Sequence, residues 1–147
     1  MKLLAKKIVK ILTKKKLTIA FAESCTGGMV SSAITDIKGS SKVFTFGLIV
    51  YSNKSKINVL KIPKNIIKKY GTVSAQVCLD MVKNISKIAN TNISLSVTGI
   101  AGPDGSTKKK PVGLVYIGIK KGNKIRIKKY FFKKKGRAYI RKETVNE

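Results

Sequence analysis

A chain of 147 residues is long enough for one domain with one hydrophobic core, and its 43% hydrophobic content is that of an ordinary globular protein. Its formal charge of +26 comes with no histidine and only six acids, dispersed at Glu23, Asp36, Asp80, Asp104, Glu143 and Glu147. A Ser-His-Asp triad and a Cys-His dyad are thereby excluded, and local spacing suggests neither a carboxylate pair nor a metal cage.

In chain order, Leu4, Ile8, Ile11 and Leu12 fall at helical spacing and predict a first amphipathic helix over 2–15. Lysines at 6, 7 and 10 interrupt its apolar stretch and no small-residue cleavage site follows, so it does not read as a signal sequence. The run 17–22 predicts a buried strand, 23–28 a turn and 29–37 a second helix. Residues 43–51, rich in β-branched and aromatic side chains, give the strongest strand. Two short helices are expected at 53–60 and 63–70, around Pro63. Ser74 then caps a longer helix to about Ala89, with Val77, Met81, Ile85 and Ile88 on one stripe. A third strand over 93–98 runs into a glycine- and proline-punctuated loop from Gly99 to Val112. The segments 113–120 and 124–132 form a hairpin turning at Gly122-Asn123, and a last helix begins near Arg137. Strands alternating with helices and a terminal hairpin imply an α/β fold, a three-layer α/β/α sandwich over a mixed sheet, as a single domain over 1–147.

No apolar run approaches the ~20 residues that span a bilayer, so no membrane association is expected. Two cysteines, Cys25 and Cys78, are too few for a disulfide framework or a zinc site, and a reducing cytoplasm is the expected location. The charge invites a nucleic-acid reading, but its make-up argues against a specific one. Lysine outnumbers arginine 29 to 3, alongside 19 isoleucines and frequent asparagine, the mark of AT-rich coding. A reader of nucleic acid favours arginine forks and interleaved aromatics. Scattered lysines give only a solvated, loosely polyanion-binding surface.

Two loops follow central strands, where open α/β sheets place ligands. In Ala22-Glu23-Ser24-Cys25-Thr26-Gly27-Gly28 a serine sits between strand end and helix start, beside backbone N–H groups able to hold an oxyanion or a phosphate. Ser24 is there either a nucleophile or, like Thr26, a helix cap. The loop Thr98 to Gly105 matches neither the dinucleotide fingerprint nor the P-loop; its glycines suit a wall against a flat ligand, or a long ordinary connection. Between them, Tyr51-Ser52-Asn53-Lys54-Ser55-Lys56 ends the strongest strand. If it opens a helix, the Tyr51 hydroxyl and the Lys56 amine both face the strand's carboxyl edge. Taken alone, Lys56 is one of 29 lysines and reads as solvated, and without histidine any acid–base chemistry must rest on lysine, tyrosine, cysteine or a lone carboxylate.

The motifs AESCTGG (22–28), GSS (39–41), YSNKSK (51–56), VS (73–74) and TGIAGPDGS…KPVG (98–113), in that order and across nearly the whole chain, resemble the CinA C-terminal domain family, the PncC-type nicotinamide mononucleotide deamidases. The resemblance implies hydrolysis of the carboxamide of nicotinamide mononucleotide, an about five-stranded mixed sheet, no metal and no cofactor. By motif, Ser24 matches the nucleophile and Lys56 the general base, with Tyr51 and Ser41 around the reacting group. Thr26 and Gly27 follow the nucleophile, Thr98, Gly99 and Gly102 line the nucleotide pocket, and Arg137 grips the phosphate. It also implies the stand-alone form of the domain, with a last helix shorter than the family's. Apolar surface left by that helix would either cost stability or be covered by a second subunit, in a homo-oligomer. A catalytically degraded relative and a basic nucleic-acid-binding module are the competing readings.

Overall fold

A computed structural model describes residues 1–147. Its elements run α1 (Lys2–Lys14), β1 (Ile19–Glu23), α2 (Met29–Thr35), a 3₁₀ turn (Ser40–Lys42), β2 (Phe44–Ile49), α3 (Asn53–Asn58), α4 (Lys64–Tyr70), α5 (Ala75–Ala89), β3 (Ile93–Gly99), β4 (Leu114–Lys121), β5 (Lys124–Phe131) and α6 (Arg137–Asn146). The five strands form one sheet in the order β2-β1-β3-β4-β5. β1 is parallel to β2 and to β3, whereas β3–β4 and β4–β5 are antiparallel. This is the mixed five-stranded sheet of the expected fold class.

Helices cover both faces. Ala20, Ala22, Val50, Leu60, Ile62 and the α5 side chains Val77, Met81 and Ile85 make one buried cluster. Ile19 and Phe21, the alternate residues of β1, pack on the other face with Ala5, Val9 and Leu12 of α1 and Ile34 of α2. The period-two alternation of a strand thus sends successive residues of β1 into two different cores. Under α5 the sheet presents small residues. Ser94 and Ser96 donate their hydroxyls to the Val82 and Cys78 carbonyls of α5 at 3.0 and 2.8 Å.

Two apolar stripes are rotated from their expected positions. On α1 the buried residues are Ala5, Val9 and Leu12, while Leu4 and Ile11 are exposed. The stripe is centred one residue later because α1 packs against α2 as well as against the sheet. On α5, Cys78, Val82 and Ser86 join Val77, Met81 and Ile85, and Ile88 faces solvent. α5 crosses the width of the sheet and buries a broader face than one stripe. The hairpin turns at Gly122, at φ 55, with Lys121 paired to Lys124.

A Cβ at Gly118 would lie 2.7 Å from Ser96 Oγ, 2.8 Å from Ile127 Cδ1 and 3.1 Å from Cys78 Sγ. Gly118→Ala is therefore expected to push α5 off the sheet and to cost about 1–3 kcal/mol. Urea unfolding would read this, and an unchanged midpoint would disprove the close approach.

Candidate active site

β1, β2 and β3 end at the same edge of the sheet, and the strand order reverses there. The chain leaves β1 for β2 by way of α2 and returns to β3 by way of α5 on the opposite face, the arrangement that opens a crevice at the carboxyl ends of the strands.

Glu23, the last residue of β1, is fully buried. Its carboxylate accepts from the amides of Gly28 (3.0 Å), Val30 (3.1 Å) and Ser31 (2.8 Å) and from the Ser31 hydroxyl (2.7 Å). These are orphan donors of the first turn of α2, whose N-cap Gly28 (φ 94) offers no side chain. The carboxylate thus folds the chain back over a tight turn, Ser24 to Gly27, closed by the Gly27 amide on the Ser24 carbonyl at 3.0 Å. Ser24 is held at its own end by its amide on the Val97 carbonyl of β3, at 3.1 Å. The amides of Cys25 and Thr26, in the middle of the turn, meet no acceptor in the chain.

Lys56 comes from α3, the short helix that follows β2. Ser52 starts α3 with a reciprocal cap: its hydroxyl accepts from the Ser55 amide at 3.0 Å, and its amide donates to the Ser55 hydroxyl at 3.1 Å. One turn later Lys56 points back under the strand and is 1% exposed. Its Nζ lies 3.0 Å from Ser24 Oγ, 2.8 Å from the Val50 carbonyl and 3.3 Å from the Tyr51 carbonyl. No carboxylate compensates it, and burial pushes its pKa from 10.5 down to about 8, against a small opposing pull from Cys25. As a neutral amine it has two N–H groups for the two carbonyls and a lone pair left for the serine hydroxyl. Cys25, next to Ser24, is buried, and that burial pushes its thiol up to about 12. It stays a thiol at neutral pH, a poor nucleophile.

Arg137, at the start of α6, donates to the Gly102 carbonyl at 3.0 Å and to the Tyr51 hydroxyl. The structure thus gathers Ser24, Lys56, Tyr51, Gly102 and Arg137 at one edge, with Thr26 and Gly27 in the turn itself. Two expected residues do not reach a ligand from here. Ser41 sits in the 3₁₀ turn before β2, exposed at the amino edge of the sheet, because β2 runs its full length between Ser41 and Tyr51. Thr98 is 1% exposed and its hydroxyl donates to the Thr72 carbonyl at 3.0 Å, so it braces the wall from behind. Gly99 also shapes rather than contacts: a Cβ there would meet Val115 Cγ2 at 2.6 Å and Cys25 Sγ at 3.1 Å.

Three contributors escaped the sequence. Glu23 looked like an isolated acid, although its place beside Ser24 was a signal. Lys110 reaches across from the 99–112 loop to the Tyr70 and Val73 carbonyls, pinning that loop to the start of α5. Arg141 donates to the Thr26 carbonyl at 2.8 Å. Its signal was rarity, since it is one of 3 arginines among 32 cationic residues.

Fold and site together define an α/β/α domain with a buried serine–lysine pair at the carboxyl edge of a mixed sheet. The profile of the CinA C-terminal domain matches residues 1–147, and the chain belongs to that family. A CinA-like protein of Prochlorococcus marinus subsp. pastoris is 47% identical over 141 residues, covering 95% of this chain and 33% of that protein. A CinA-like protein of Dictyoglomus thermophilum is 50% identical over 112 residues, 76% of this chain and 27% of that one. The chain thus spans about a third of the length of the curated relatives it matches. Among solved structures, the competence/damage inducible protein CihA from Agrobacterium tumefaciens superposes with a TM-score of 0.96 at 36% identity, over 98% of this chain and 88% of that one. No helix is long and apolar enough to cross a membrane.

Two outcomes follow from these contacts. Glu23→Gln leaves one acceptor oxygen for four donors and is expected to cost about 1–3 kcal/mol in chemical denaturation; a neutral result would show that water caps α2 equally well. Folded Lys56 loses its proton near 8 and an unfolded lysine near 10.5, so in that window the unfolded state binds more protons and stability rises with pH. The rise should be smaller in Lys56→Met by the share of this one group. Parallel stability–pH curves for the two proteins would contradict the shifted pKa.

Proposed function

We propose that this domain hydrolyses the carboxamide of nicotinamide mononucleotide to nicotinate mononucleotide and ammonia, with Ser24 as nucleophile and Lys56 as general base. The observation that carries the reading is the 3.0 Å approach of a buried, uncompensated Lys56 amine to the Ser24 hydroxyl. The substrate class rests on the resemblance of the chain's motifs to the family's deamidases, with which membership of the CinA family is consistent.

Ser24 Oγ attacks the carboxamide carbon as its proton passes to Lys56 Nζ. The tetrahedral oxyanion is received by the amides of Cys25 and Thr26, which have no acceptor in the chain. Lys56 returns the proton to the leaving nitrogen, the C–N bond breaks, and ammonia departs from an acyl-serine ester. A water molecule, deprotonated by the same amine, attacks the ester; Ser24 leaves with the proton and the carboxylate is released. Lys56 serves all four transfers because both its states are satisfied: the ammonium has three acceptors and the amine two. In this reading Arg137, exposed beside Tyr51 and Gly102, meets the substrate's phosphate, and its bond to Tyr51 supports that role by holding the arginine in line.

Ammonia release from nicotinamide mononucleotide by the pure protein tests the activity. Ser24→Ala is expected to abolish it and Lys56→Gln to reduce it nearly as far, since the pair acts as a unit. Lys54→Gln, an exposed lysine on the same helix, should keep most of it. The pH–rate profile should rise through about 8 and lose that limb in Lys56→Gln. Wild-type turnover in Ser24→Ala would replace covalent catalysis with an activated water.

A further inference from the structure

We infer that Arg141 is a positioning residue, which holds the nucleophile turn in its reactive form through the Thr26–Gly27 peptide. The inference rests on the Ser24–Lys56 reading and extends it to a residue that does not touch the reacting atoms.

The turn from Ser24 to Gly27 is closed by one backbone bond, from the Gly27 amide to the Ser24 carbonyl at 3.0 Å. That amide belongs to the same rigid peptide plane as the Thr26 carbonyl, which takes the Arg141 Nη2 donor at 2.8 Å. The arginine therefore fixes one side of the plane whose other side closes the turn. The Met29 amide, at 3.3 Å, is a second and longer donor to the same carbonyl, and the plane is followed by Gly27 at φ 59, where no Cβ restrains rotation, so the shorter arginine bond supplies the firmer hold. A Cβ at Gly27 would lie 3.2 Å from Arg141 Nη2, so the glycine is also what admits the guanidinium. If the plane rotates, the closing bond is lost, and the turn that carries the unpaired Cys25 and Thr26 amides loosens.

Two features single the residue out. Arg141 and Arg137 stand one helical turn apart on α6 and both reach the Ser24 edge, in a chain that otherwise draws 29 of its 32 cations from lysine. A planar fork anchored at a backbone carbonyl is a task that a flexible ammonium does less well. The interior is also tight and polar here: Arg141 Nε and Thr26 Oγ1 are both buried with no partner in the chain. α6 is then a brace with two arms, Arg137 toward the ligand and Arg141 toward the nucleophile turn.

The decisive comparison uses wild type, Arg141→Met, Arg141→Lys and Arg137→Ala. By amide hydrogen exchange, Arg141→Met should exchange the Gly27 amide on the order of tenfold faster while the β3–β4 ladder keeps its protection. In steady-state deamidation, Arg141→Met should lower kcat on the order of 10²-fold with little change in KM. Arg141→Lys should recover only part of that loss. Arg137→Ala should instead raise KM. Unchanged Gly27 protection overturns the inference. So does a rise in KM without loss of kcat, which would make Arg141 a substrate ligand, and so does full recovery with lysine, which would reduce its role to charge. A wild-type protein that releases no ammonia refutes the proposed activity, and the exchange measurement still decides whether Arg141 holds the turn.

Discussion

A primary amine kept out of water without a counter-ion is the constraint around which this site is arranged. An ammonium in such a place is costly, and a protein ordinarily removes the cost with a carboxylate. Here Lys56 has only the Val50 and Tyr51 carbonyls and a serine hydroxyl. Carbonyl dipoles satisfy hydrogens but do not cancel a charge, so the amine gives up its proton near neutrality instead. The local architecture at the end of β2 exists to hold this geometry. The Ser52–Ser55 cap fixes the start of α3, and the Val50 amide continues the sheet pairing onto the Glu23 carbonyl at 2.8 Å, so β2 is still registered against β1 where Lys56 needs its acceptors.

The cationic surface plays a different part. Twenty-nine lysines make a strong positive field, yet the pKa of Lys56 is lowered by burial and not by cationic neighbours. Such a field acts at longer range, on anionic solutes in general, and is screened by salt. The directional work near the site falls to arginine, at Arg137 and Arg141, where planar forks meet a carbonyl and a phenol. Composition taken as a whole thus misdescribes the site, and the few residues that depart from it describe it better.

Much of the fold was legible because periodicity is local. Every helix and strand fell where its pattern put it, with small shifts at the ends. β1 was expected from Leu17 but starts at Ile19, because Lys16 sits at φ 52 and the Leu17 amide still bonds back to Leu12, so the chain is turning, not yet extended. Site residues were less legible for a related reason. Nothing near Lys56 distinguishes it from the other lysines; only its place in an ordered set of motifs did, and the 32-residue separation from Ser24 closes only in the fold. Ser41 failed the opposite test. Proximity in the motif order does not say at which edge of a sheet a residue emerges, and the 3₁₀ turn before β2 emerges at the far one. Thr98 reached the correct edge, but its side chain faces α5, since alternation along β3 gives it the same side as Ser94 and Ser96.

The neighbouring buried charge explains why the lysine stays uncompensated. Glu23 is one residue from Ser24 and fully buried, the obvious partner for an ammonium in the same interior. It does not take that role because four donors from the first turn of α2 already occupy both its oxygens, at 2.7 to 3.1 Å. A carboxylate with its lone pairs directed into a helix terminus gains from the dipole there and has no reason to turn toward an amine. A negative charge facing Lys56 would raise its pKa, and none of its three hydrogen-bond partners carries one. The helix that begins at Met29 therefore takes up the carboxylate beside Ser24 with its own first-turn donors, and in doing so closes the turn that carries the serine.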